Sequence, residues 1–221
     1  MLNILRLKNL TQMCVTSFLV LTALTIFSPS VFAQATTGST DDAAEIRAML
    51  QGRDSAIKSI LGSSDDISTD QREQLRSLIN DVIDFNAMGE GALGRHWTKI
   101  TAEQQSEFVD VFSQIVRIQS LADIDVYRSS VEYGDISVEG DGAHVLTTTT
   151  YKSVPTPVEY ALHRTPGGWK AGDIILDDVS TVKGYARSFQ SVIRKKGFDS
   201  LMLRLNNRLE TEQAASESDA D

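Results

Sequence analysis

The chain has 221 residues, with 30 acidic and 21 basic side chains and a net charge of −9. That balance argues against nucleic acid as a partner and against binding anionic membranes through bulk charge, while leaving room for a local basic patch. The single cysteine, Cys14, lies in an N-terminal apolar run, so neither a disulfide framework nor thiol catalysis is expected.

Residues 1–33 read as a secretory signal. Arg6 and Lys8 precede the apolar run from Met13 to Phe27, and Pro29 and Val31-Phe32-Ala33 follow it. This is the charged, apolar, small-residue order of such a segment, and the run is short for a membrane span. Cleavage is expected after Ala33, with Ala35 the alternative. An exported chain without cysteine suits a bacterial envelope. Cleavage leaves 188 residues, enough for one domain with a core. Arg6 and Lys8 leave with the signal, so 19 basic residues then face 30 acidic ones. Residues 34–41 form a polar, disordered lead-in, residues 42–210 the domain, and residues 211–221 (TEQAASESDAD) an acidic tail expected to be disordered.

A first helix is predicted from about Asp42 to Leu61, with Ile46, Met49, Leu50, Arg53, Ile57 and Ile60 on one stripe and Asp42 with Glu45 as a capping box. Ser68 to Gln71 has the same capping spacing and opens a second helix with Leu75, Leu78, Ile79 and Val82 on one face. Asp84 to Leu93 reads as a short helix with Phe85 and Met88 inward and Gly94 at its end. Its Gly89-Glu90-Gly91-Ala92-Leu93-Gly94 matches a dinucleotide-binding pattern in letters alone, because a helical pattern rather than a strand precedes it. Thr101 to Gln104 opens a long helix carrying Phe108, Val111, Phe112, Ile115 and Ile118.

The period then changes from 3.6 to 2. Val131, Tyr133, Ile136 and Val138 alternate, with a bulge expected at Gly134. Glu139-Gly140-Asp141-Gly142 is a hairpin turn into a strand with Ala143, Val145, Thr147, Thr149 and Tyr151 on one face. Val154-Pro155-Thr156-Pro157 is expected to be a loop, since proline cannot sit in a central ladder. Val158, Tyr160 and Leu162 form the inward face of a third strand, and Trp169 to Leu176 is a fourth. Ser180 caps a helix with Val182, Tyr185, Phe189, Val192 and Ile193 on its stripe, closed by Arg194, Lys195, Lys196 and Gly197. Phe198 to Leu209 closes the domain. Helices, then about four antiparallel strands, then helices make an α+β fold.

The catalytic inventory is thin. His96, His144 and His163 are far apart in sequence and have no partner at metal-ligand spacing, so no metal and no catalytic residue is expected. His144 and His163 lie on neighbouring predicted strands within reach of each other, and both read as structural or surface residues. Asp177-Asp178 reads as a solvated corner, and Trp97 and Trp169 as core anchors.

Two segments carry a family resemblance. Ala92 to Phe108 (ALGRHWTKITAEQQSEF) resembles the opening of the central helix in the MlaC-like (toluene-tolerance) family of periplasmic phospholipid-binding proteins. Gly167 through Asp178-Val179-Ser180 to Arg194-Lys195-Lys196-Gly197-Phe198-Asp199-Ser200-Leu201 resembles that family's C-terminal signature, with Asp178 where the family carries glycine. The family's tyrosine late in the central helix is absent around Gln119-Ser120. The resemblance implies an NTF2-like curved antiparallel sheet packed against N- and C-terminal helices, with acyl chains held between them. It implies a non-enzymatic, monomeric periplasmic carrier that maintains outer-membrane lipid asymmetry. Such a carrier shuttles phospholipid between an outer-membrane lipoprotein complex and an inner-membrane ABC transporter with an MCE component. Phospholipid is its cargo, and no cofactor is implied.

On that expectation the inward faces supply the lining: Phe108, Phe112, Ile115, Val145, Tyr151, Tyr160, Leu162, Ile174, Val182, Tyr185 and Phe189. The alternatives are an NTF2-like enzyme with a His or Asp base, and a non-catalytic envelope adaptor with a solid core.

Overall fold

The computed structural model describes residues 38–64 and 66–218. The expected signal, residues 34–37 of the lead-in and residues 219–221 lie outside the described residues. Helix starts follow from local side-chain caps. The hydroxyls of Ser68 and Thr101 accept from the amides of Gln71 and Gln104, whose side chains accept in return from the two cap amides. These reciprocal pairs open α2 (Thr69–Asn80) and α4 (Ala102–Gln119). α1 (Gly38–Leu61) starts earlier than its pattern suggested, so Asp42 lies inside the helix and is no cap. Its carboxylate instead pairs with Arg164 of the sheet.

α3 (Phe85–Leu93) opens on Asp84, whose Oδ1 accepts from the Ala87 amide at 3.0 Å, and ends at Gly94 with φ +52. The glycines here have a packing role. A Cβ on Gly91 would stand 2.8 Å from Val182 Cγ1, and one on Gly94 2.8 Å from Gln190 Nε2. Within the pattern that mimics a nucleotide loop, Gly91 and Gly94 therefore meet α5 (Thr181–Lys196), while Gly89 faces Phe108 and Val109 of α4.

The sheet is an antiparallel meander, curved and unclosed, in the order β1-β2-β3-β4-β5. Its strands are β1 (Ser130–Glu139), β2 (Gly142–Tyr151), β3 (Val154–Thr165), β4 (Gly168–Leu176) and β5 (Val179–Ser180). The bulge expected at Gly134 is present as a register shift between Tyr133 and Ile136. Val154–Pro157 is strand, against expectation. The loop is instead Lys152-Ser153, both at positive φ (49 and 62), the backbone of a two-residue hairpin. Both prolines fit because Asp177 N donates to Pro157 O. The backbone polar groups of Pro157, and of Pro155 two residues earlier, therefore face away from β2, and no ladder bond is lost.

α6 (Phe198–Ser218) also departs from expectation, because the tail from Thr211 continues the helix to Ser218. Composition alone argues for disorder there. Tertiary contacts reverse it: Gln119 Nε2 donates to Glu212 Oε1 at 2.7 Å, and Arg208 pairs with Glu212 one turn away. The α2–α3 junction is stitched to the sheet edge, with Ala171 N donating to Val82 O at 2.7 Å and Asp84 N to Ala171 O at 2.9 Å.

Candidate functional site

The interior divides into a helix side and a sheet side. On the helix side the stripe of α4 meets α3, α5 and α6. Phe108 and Phe112 stack at 5.6 Å with planes 7° apart. Tyr185 stands edge-on to Phe112 at 4.9 Å, and Phe189 edge-on to both phenylalanines at 5.9 Å. Phe108 and Phe112 are fully buried. Each such ring pair adds about 0.5–1.5 kcal/mol beyond the area it buries.

On the sheet side, register places Val145, Tyr160 and Ile174 in one row across β2, β3 and β4, with Ala143, Leu162 and Ala171 in the next. Ile46 and Leu50 of α1 cover this end together with Trp169. Cover is uneven along the rest of the face, where Thr147 and Val158 are buried. Tyr133, Tyr160, Ile174 and Leu176 remain partly exposed. Burial nevertheless pushes the Tyr160 phenol up to about 12, with the Asp54 carboxylate adding to it. Burial raises the Tyr133 and Tyr127 phenols as well.

Ten of the eleven predicted lining residues fall into two packed groups. Phe108, Phe112, Ile115, Tyr185 and Phe189 belong to the helix-side core, with Val182 half-buried against it. Val145 and Leu162 are buried on the sheet side, with Tyr160 and Ile174 half-buried beside them. Tyr151 stands apart at the end of β2, where its hydroxyl donates to Asp123 and the Lys152 ammonium lies 4.7 Å over its ring.

Two surface hollows lie elsewhere. One, of about 650 Å³, runs along α4 past Glu103, Glu107 and Asp110. The other, of about 590 Å³, runs along α5 past Val179, Lys183, Arg187 and Arg194.

His144 and His163 take different partners. His144 pairs in register with Ala161, and His163 with Gly142. His144 Nδ1 lies 2.6 Å from Glu159 on the exposed outer face, and His163 Nε2 lies 2.9 Å from Asp84 Oδ2. Burial opposes ionisation of Asp84, but the Ala87 amide, His163 and the Asn86 amide together hold its carboxyl below the ordinary value. Asp177 and Asp178 form an exposed two-residue turn at φ 49 and 62. Asp178, standing where the resembling family carries glycine, thus occupies a left-handed position that aspartate tolerates. Among the described residues no group of three or more His, Cys, Asp or Glu side chains is placed to hold a metal ion. No described helix is long and apolar enough to cross a membrane.

Sequence reasoning missed Asp173, which joins the two sides. Its Oδ2 accepts from Ser180 Oγ at 2.5 Å and its Oδ1 from the Val182 amide at 3.0 Å. A carboxylate on β4 thereby stabilises the positive end of α5. Its residue type was visible, but only the β4–β5 turn brings it to the helix start.

Comparison with known proteins adds two findings. Residues 53–207 match the family described as MlaC protein. Among solved structures, the chain is similar to the phospholipid-binding protein from Ralstonia solanacearum, solved in complex with a phospholipid. The TM-score is 0.64 at 22% identity, over 78% of this chain and 98% of that one. No curated protein matches the chain.

Proposed function

The chain belongs to the MlaC family, and we propose from that premise that it is a non-catalytic, periplasmic phospholipid carrier. It takes lipid between an inner-membrane ABC transporter with an MCE component and an outer-membrane lipoprotein complex, and so maintains outer-membrane lipid asymmetry. The observation that carries this reading is the family match, with a phospholipid bound in a protein of the same fold.

Physical chemistry supports it. Each methylene removed from water is worth about 0.8 kcal/mol, so a chain of about 16 carbons crosses the aqueous envelope bare at a cost on the order of 10 kcal/mol. A carrier removes that barrier by burial alone and needs no reactive group. In this chain the partly exposed Tyr160, Ile174 and Val182 offer the accessible apolar surface. Phe108, Phe112, Ile115, Tyr185 and Phe189 back it as a wall, and Val145 and Leu162 form the floor. Loading then widens the gap between helix side and sheet side while the rings stay packed.

The fully packed rings favour one other reading, an adaptor with a solid core. Organic extraction of the protein purified from cells, followed by mass spectrometry, separates the two. Roughly stoichiometric phospholipid is the carrier's result. Lipid-free protein that also fails to take phospholipid from vesicles is the adaptor's.

A further inference from the structure

α5 carries five cations, Lys183, Arg187, Arg194, Lys195 and Lys196, and no carboxylate over its length. The 3-10 turn Gly94–Lys99 beside it adds Arg95 and Lys99, again without a carboxylate. All seven are exposed. Among the described residues none of the seven makes an ion pair, although acidic residues outnumber basic ones by 30 to 21.

The two segments form one face. Gln190 Nε2 donates to Ala92 O at 3.4 Å, and Gly94 lies against the same amide. Burial lowers the His96 imidazole below its ordinary value, and Arg95, Lys99 and Arg194 lower it further. The end of α5 therefore stands beside the turn.

Lys183, Arg187, Gln190 and Arg194 fall within roughly 60° of arc, and the row is about 16 Å long. Helix stability accounts for Arg194, Lys195 and Lys196, which sit in the last turn, where the helix end is negative. It does not account for Lys183, three residues past the Ser180 cap, where the helix dipole opposes a cation. The groove along this row includes one carboxylate, Asp178, and Val179 at 38% exposure.

We propose that this face, Lys183, Arg187 and Arg194 with Arg95 and Lys99, docks the protein on an anionic phospholipid surface. Charge complementarity carries the proposal. The cations spread over two elements as a broad face, and the absence of ion pairs leaves them able to follow mobile headgroups. Exposed Val179 adds a small apolar contact at the rim, as interfacial binding requires. The proposal rests on the carrier reading, for which a membrane is the source or sink of cargo.

The test is co-sedimentation of the purified full protein with vesicles containing about one-third phosphatidylglycerol in phosphatidylcholine, against phosphatidylcholine alone, at low and high salt. Binding to the anionic vesicles only, lost at high salt, is expected. The combined variant Lys183→Gln, Arg187→Gln, Arg194→Gln is expected to reduce that partition on the order of 100-fold, with an unchanged melting profile. Glu103→Gln with Glu107→Gln is expected not to reduce it.

Equal binding to both vesicle types, or full binding by the triple variant, overturns the proposal. So does retention on immobilised polyglutamate with no vesicle binding, which assigns the face to an acidic protein. Lipid content by extraction is measured on the same samples. Protein that holds phospholipid but ignores anionic vesicles refutes the docking face alone, whereas lipid-free protein that also takes no phospholipid from vesicles refutes the carrier reading whichever vesicles it binds.

Discussion

Phe112 on α4 and Ile174 on β4 both belong to stripes that the sequence marks as inward. Phe112 is fully buried and meets three other rings. Ile174 keeps accessible surface beside a phenol that burial has pushed up to about 12. Both sides are packed, and the two positions differ in how far their neighbours cover them. A guest that needs apolar cover therefore meets less resistance at the sheet than among the rings, because displacing a packed core forfeits its dispersion contacts.

The sharpest way to break that contrast is truncation on each side. Phe112→Ala is expected to lower unfolding free energy by about 3–5 kcal/mol, and Ile174→Ala by about 1 kcal/mol, both read by denaturant titration. Equal losses at the two positions would erase the distinction between a fully covered position and a partly covered one.

The joint between the sides comes next. Asp84→Ala removes the α3 cap and the partner of His163, and about 1–2 kcal/mol is expected. The folded carboxyl lies below its unfolded value of 3.8. Its contribution is therefore complete above that value and disappears as pH falls through the lower folded value. Wild type and Asp84→Ala should differ at neutral pH and converge in acid. A gap that persists unchanged well below pH 3.8 would show that the charge is not what stabilises the joint.

Gly91→Ala probes the helix side alone. The new methyl meets Val182 Cγ1 at 2.8 Å, and valine is stiff at χ1. Overpacking outweighs the helix propensity gained, for a net loss of about 1 kcal/mol in a thermal melt. Increased stability would show that α3 and α5 have slack. The smallest effect belongs to Asp178→Gly, at a left-handed position with φ 62. Relief of strain and added unfolded-state entropy oppose each other, so a change below about 0.5 kcal/mol is expected. A larger one would give this corner a part in holding β5 against β4.

How much was legible depended on how far each signal reaches. The caps at Ser68, Thr101 and Ser180 use partners three residues away, and they stand where the pattern places them. Asp42 had the same spacing and fails as a cap because the helix begins upstream and Arg164 claims its carboxylate. Pro155 and Pro157 looked like loop residues because the direction of their backbone polar groups is set only once β4 has turned at Asp177. The tail helix depends on Gln119, some ninety residues earlier, accepting Glu212 as a partner. The candidate site divides the same way. Periodicity identifies which faces turn inward, but whether a face is filled or accessible depends on how two clusters distant in sequence meet.

The measurement that bears most directly on the sheet side as the lipid-holding wall is phospholipid per protein after solvent extraction, in wild type and in Ile174→Asp. The account predicts roughly one or more phospholipids per wild-type molecule, the content expected of a pocket that buries most of its ligand. It predicts a loss of at least about tenfold in the variant, because a carboxylate in an apolar lining is strongly disfavoured, while the circular dichroism of the fold is retained. Lipid-free wild type, or a folded variant that still holds its full lipid content, would contradict it.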